Sequence, residues 1–139
     1  MIDISVFQED NPLVQNLLVK HHQLAAKEAQ KYRGRLLGSD RNALRQVYVA
    51  TVGESAIGSL VLRVDSASEW VIEMIHVVEV ARGIGVGNKL MHRVLEDARA
   101  EGATRLTGAA LPGDRSTKNL YERFGLIAET IVVSKDLTT

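Results

Sequence analysis

The run Trp70-Val71-Ile72-Glu73-Met74-Ile75-His76-Val77-Val78, followed after three intervening residues by Arg82-Gly83-Ile84-Gly85-Val86-Gly87 and then by Asn88 to Glu101, decides how this chain folds. The first part is apolar on both alternating faces except at Glu73 and His76, as in a strand covered on both sides. In the last part Leu90, Met91, Val94, Leu95 and Ala98 form one helical stripe. The middle part places glycine at three alternate positions directly before that helix. Such a loop lets a ligand approach the backbone closely, with free N–H groups and the helix dipole aimed at it. Phosphate is the natural occupant. Two phosphate motifs can be tested, and both fail. A dinucleotide fingerprint starting at Gly83 or Gly85 needs glycine at Asn88 or Leu90, and a nucleotide P-loop starting at Gly83 needs glycine at Asn88 and Ser or Thr at Leu90.

Working outward toward the amino terminus, two β-rich runs, Gln46–Val52 and Ala56–Val64, flank the turn Gly53-Glu54-Ser55 and predict a hairpin. Before them, Asn11-Pro12 reads as a helix cap and first helical position, and Val14, Leu17, Leu18, His21, Leu24 and Ala25 recur at helical spacing. The predicted helix runs from Pro12 to Lys31 and dissolves toward Gly34 and Gly38. Alternation at Ile2, Ile4 and Val6 predicts a first short strand. On the carboxyl side, Gly102 stops the long helix. Arg105–Leu111 reads as a strand, Ser116–Phe124 as a short helix closed by Gly125, and Leu126–Ser134 as a last strand. The order is mixed α/β, without repeat or linker, and predicts one domain over residues 1–139.

Arg82-x-x-Gly85-x-Gly87, preceded by Ile75-His76-Val77-Val78 and followed by the amphipathic helix, resembles the acyl-CoA pyrophosphate loop of the GNAT superfamily of N-acetyltransferases. Asn119-Leu120-Tyr121-Glu122-Arg123-Phe124-Gly125-Leu126 resembles that family's second signature. The detailed likeness spans about Trp70 to Val133. It implies a GNAT fold, with a mixed, mostly antiparallel sheet that splays open for the cofactor between the strands near Trp70–Val78 and Arg105–Leu111. It also implies acetyl-CoA as co-substrate. The backbone N–H groups of Gly83, Ile84, Gly85, Val86, Gly87 and Asn88 would cradle the pyrophosphate, with Arg82 adding charge. The strand at Ile75, Val77 and Val78 would pair with the pantetheine arm. Asp114 stands where the family commonly has an Asn that binds that arm, and Thr117 where a small Ala is frequent. The family's alternative base on the following strand would fall at Ala109 and is missing.

Acyl transfer from a thioester to an amine needs the cofactor held, the carbonyl polarised, the ammonium deprotonated and the departing thiolate protonated. The resemblance makes Tyr121 the acid. A phenol of pKa about 10 can donate to a thiolate of pKa roughly 8.5. Glu73, on a face with Val71, Ile75 and Val77, is the candidate base, with Glu69 and His76 as rivals. His76 shares the other face with Trp70, Ile72 and Met74, the setting of a core histidine. No metal-ligand pattern is present, and the absence of cysteine leaves no residue for a thioester intermediate, so direct attack in a ternary complex is expected.

Seventeen basic residues balance seventeen acidic ones, which gives no global attraction for nucleic acid. The composition, 45% apolar and 24% charged, is that of a globular protein. No apolar run is long enough to span a membrane, and the first residues do not resemble a secretory signal, so a cytoplasmic location is expected. Between Lys20 and Arg45 seven basic residues face only Glu28 and Asp40, a local excess of five that suits a solvated face, a subunit contact or an acidic acceptor. A small-molecule amine is favoured as acceptor over a protein amine, and the resemblance admits a homodimer. The alternative function is a non-catalytic acyl-CoA sensor or protein-interaction module of the same fold.

Overall fold

The computed structural model describes residues 1–36 and 41–138. Gly38 and Asp40 therefore lie outside the described residues. Five strands pair in chain order: β1 (Asp3–Gln8), β2 (Leu44–Val52), β3 (Ser55–Val64), β4 (Glu69–Val77) and β5 (Arg105–Thr107). The first three pairings are antiparallel and the last is parallel. Helix α1 (Pro12–Ala29) lies between β1 and β2, α2 (Val86–Ala100) between β4 and β5, and α3 (Arg115–Arg123) follows β5.

Helices α1 and α3 begin at side-chain caps, and α2 begins at a glycine. The Asn11 side chain accepts from the Leu13 N–H at 2.9 Å, with Pro12 at the first position, and Gly85 starts α2 in a left-handed conformation. One apolar cluster joins Leu90, Met91, Val94 and Ala98 of α2 to Tyr48, Leu60, Leu62, Trp70 and Ile72 of the sheet. A second cluster joins Val14 and Leu18 of α1 to Val47, Val49 and Val61. The sheet is thus covered by a helix on each side. Full burial of each large aliphatic side chain contributes about 1.5–3 kcal/mol, so these two clusters are the main stabilising element of the fold. The fully buried Tyr48 satisfies its hydroxyl by donating to Asp97 of α2 at 2.9 Å.

Three sequence expectations are corrected. First, β5 ends at Thr107 and not at Leu111, because β4 pairs with it only from Glu69 to Val71. Second, strict alternation along β4 fails at Glu73. Val61 pairs with Met74 but Leu62 with Ile72, leaving Glu73 as an extra bulged residue. His76 consequently leaves the face of Trp70 and Ile72 and meets His21 of α1, with ring centroids 5.1 Å apart. Third, Leu126–Ser134 forms no strand. Its β-prone Ile131, Val132 and Val133 are exposed, and its contact with β5 is an Arg105–Glu129 ion pair. Propensity becomes a strand only through pairing, and a three-residue β5 offers little ladder to join.

Candidate active site

The β4 bulge and the early end of β5 open the sheet. Beyond Val71 the edge of β4 that faces β5 has no strand partner among the described residues, and a cleft of ≈ 630 Å³ occupies the gap. That volume suits a small-molecule site. Ile75, His76 and Val77 of β4 line it together with Ala109, Ala110, Leu111 and Tyr121. Ala25 and Glu28 of α1, Tyr32, and Arg82, Gly83, Gly85, Val86, Gly87 and Asn88 of the glycine loop and the start of α2 line it as well.

Gly83 and Gly85 take φ of 85° and 90°, conformations that L side chains avoid, and a Cβ built at either position meets nothing within 4 Å. The loop is therefore open toward a ligand. The first N–H groups of α2 have no carbonyl one turn earlier to bond to, so Val86, Gly87 and Asn88 supply donors at the positive end of the helix dipole. Gly87 packs against Leu120, and Asn88 Oδ1 accepts from Arg123 Nη2 at 2.9 Å, so α3 is tied to the loop that it faces. These features fit a diphosphate.

Not every expected residue joins the cleft. Ile84 is exposed and Val78 donates its N–H to Ile57 at 2.9 Å, so neither lines it. Asp114 lines the cleft but also caps α3. Its Oδ1 accepts from the Thr117 N–H at 3.1 Å and its Oδ2 from Thr117 Oγ1 at 2.7 Å. The two departures from the family pattern, Asp114 and Thr117, thus form one pair. Glu73 also lines the cleft, and its two oxygens accept from Arg45 Nε and, at 3.2 Å, from Arg63 Nη1. Arg82 turns to α1, where it pairs with Glu28, and donates from Nε to the Val77 carbonyl at 3.2 Å.

Tyr121 is buried against Gly108, where a Cβ would stand 2.8 Å from Tyr121 Cζ and 3.0 Å from its hydroxyl oxygen. Only glycine permits that approach. The hydroxyl has one long contact, donating to the Ala109 carbonyl at 3.4 Å. Burial, reinforced by the charge of Asp114, pushes the phenol well above its ordinary range. Tyr121 is accordingly a neutral donor at physiological pH.

His76, whose ring meets His21 of α1, is 6% exposed, and its Nε2 is buried without a hydrogen-bond partner among the described residues. Burial holds its pKa below the usual value, against the nearby charge of Glu28 and with that of Arg82. His21, whose Nδ1 is 2.6 Å from Ser59 Oγ, is lowered from 6.5 to about 4, mainly by burial and then by His76, Lys20 and His22. Between those two values the unfolded chain binds the proton that folded His21 refuses, so stability rises with pH there. From this residue alone, stability is expected to fall by about 2 kcal/mol between pH 7 and pH 5. Urea midpoints across that range test this, and a His21→Asn variant should show a shallower dependence.

Helix α1 contributes Glu28, which sequence reasoning did not assign to the site. Its only signal was placement four and seven residues along one helical face, as His21, Ala25 and Glu28. Among the described residues, no cluster of three potential metal ligands occurs, and no helix is long and apolar enough to cross a membrane.

The site thus combines a sheet opened by a bulge, a glycine loop at a helix start and a tyrosine in the same cleft. The sequence matches the model of the acetyltransferase (GNAT) family over residues 12–126, and the chain belongs to that family. Solved structures share its fold. Aminoglycoside N-acetyltransferase AAC(6')-Iy in complex with CoA is 13% identical with a TM-score of 0.71, the match covering 100% of this chain and 96% of that one. The aminoglycoside acetyltransferase meta-AAC0020 from an uncultured soil metagenomic sample is 16% identical with a TM-score of 0.70, covering 99% and 96%. The ribosomal-protein-alanine N-acetyltransferase of Brucella melitensis biovar Abortus 2308 is 19% identical with a TM-score of 0.66, covering 99% and 100%. No curated protein matches the sequence significantly.

Proposed function

We propose that this acetyltransferase moves the acetyl group of acetyl-CoA to the primary amine of a small molecule by direct attack within a ternary complex. The observation that carries the reading is that the open glycine loop and Tyr121 line one and the same cleft. The donors from Gly83 to Asn88 hold the pyrophosphate, and the edge of β4 at Ile75 and Val77, which has no strand partner among the described residues, receives the pantetheine arm once Arg82 leaves the Val77 carbonyl. In the reaction the amine nitrogen bonds to the carbonyl carbon, the carbon–sulfur bond breaks, Tyr121 gives its proton to the leaving sulfur, and the phenolate is restored by the proton that nitrogen sheds as the amide forms. Preference for a small amine rests on the modest cleft and on the aminoglycoside acetyltransferases among the proteins of the same fold.

The ammonium must first lose a proton. Glu73, the base expected from sequence, has both oxygens engaged by Arg45 and Arg63. His76, which lines the cleft and is kept neutral by a pKa that burial depresses, is the group we assign to take the proton. Thiol release from acetyl-CoA, followed over a panel of primary amines, tests the reaction. With an acceptor in hand, His76→Gln should lower kcat by at least about tenfold, whereas Glu73→Gln, if it folds, should leave kcat within a few-fold. The reverse pattern returns the base to Glu73.

A further inference from the structure

Three acidic side chains line the cleft among the described residues: Glu28, Glu73 and Asp114. Glu73 is held by Arg45 and Arg63, and Asp114 by the Thr117 cap, both within their own structural settings. Glu28 differs, because its partner is Arg82, the arginine of the glycine-loop motif. Arg82 is therefore engaged with Glu28 and the Val77 carbonyl, and its charge and that of Glu28 both act on His76.

Both side chains of this pair are partly exposed, at 42% and 35%, so the pair itself is weak. A guanidinium meeting a diphosphate gains a charge-assisted, forked hydrogen bond and is the stronger match. When Arg82 leaves, Glu28 becomes an acceptor-only carboxylate lining the cleft beside His76. A guanidinium already occupies the position that a substrate cation would take.

We propose that Glu28 is the binding site for the acceptor's ammonium group, and that Arg82 fills it until the pyrophosphate of acetyl-CoA draws the guanidinium away. The inference rests on the acetyl-CoA reading above and adds to it the residue that receives the acceptor's ammonium. The amine site is closed by the protein's own cation while the cofactor site is empty.

Calorimetric titration with CoA of the wild type, Glu28→Gln, Arg82→Ala and the double variant tests the exchange. Glu28→Gln is expected to tighten CoA by roughly two- to fivefold, since Arg82 no longer has a competing partner. Arg82→Ala should weaken CoA, and Glu28→Gln should then have no effect in the Arg82→Ala background. The second arm titrates n-butylamine into CoA-saturated protein, where the wild type should bind it and Glu28→Gln should bind it at least several-fold more weakly. Glu28→Gln with unchanged or weaker CoA binding overturns the exchange. Equal butylamine behaviour in the two proteins, undetectable binding in both included, removes Glu28 as the ammonium site. Failure of the wild type to bind CoA at all overturns the acetyl-CoA reading itself and is distinguishable from either result.

Discussion

Tyr121→Phe is expected to lower kcat for acetyl transfer by about 10²-fold or more while leaving acetyl-CoA affinity within about twofold. The phenyl ring fills the same pocket against Gly108, so packing is retained, and the one hydrogen bond lost, to Ala109 at 3.4 Å, is long enough to be worth little. What disappears is the proton. A thiolate must then leave unassisted or take its proton from water, and the cost falls on the chemical step and not on cofactor binding. Because burial holds the phenol protonated, activity in the wild type should not fall on the alkaline side from ionisation of Tyr121 at pH 8 to 9. Steady-state kinetics beside calorimetry check both halves. An unchanged kcat would remove Tyr121 from the reaction.

The second large effect is expected at the loop. Gly85 has a φ of 90° at the start of α2, and valine, branched at Cβ, is strained there even though the space around it is open. Gly85→Val should therefore turn the backbone out of its present path and misdirect the N–H groups of Val86, Gly87 and Asn88. The strain costs on the order of 1–3 kcal/mol, less than most domains have in reserve, so a cooperative melt should persist. Acetyl-CoA binding should fall by at least about tenfold, because the cradle acts only when its donors converge. A variant that melts normally and binds acetyl-CoA like the wild type would place the cofactor elsewhere.

The parts legible in the sequence are those where local pattern and chemistry coincide. Alternate glycines before an amphipathic stripe can do little except turn a backbone toward a ligand, and Arg82 to Glu101 folds accordingly. Tyr121 was legible because the short motif around it places it on the α3 face that packs inward. The bulge at Glu73 was not legible. An extra residue in a strand leaves the composition unchanged, yet it moves His76 to the α1 side and Glu73 between two arginines. Asp114 and Thr117 each read as a departure from a pattern and became one feature only when their hydrogen bonds were visible. Glu28 was hidden in a basic run, since its meaning depends on Arg82 approaching from 54 residues further along the chain. Long-range ion pairs of this kind have no local signature.

The central claim is that the glycine-loop cleft holds acetyl-CoA. Isothermal titration calorimetry of the purified protein with acetyl-CoA, with ATP and NAD as controls, tests it most directly. The account predicts one site of micromolar affinity for acetyl-CoA and none for ATP or NAD. A folded protein that takes up no acetyl-CoA would contradict it.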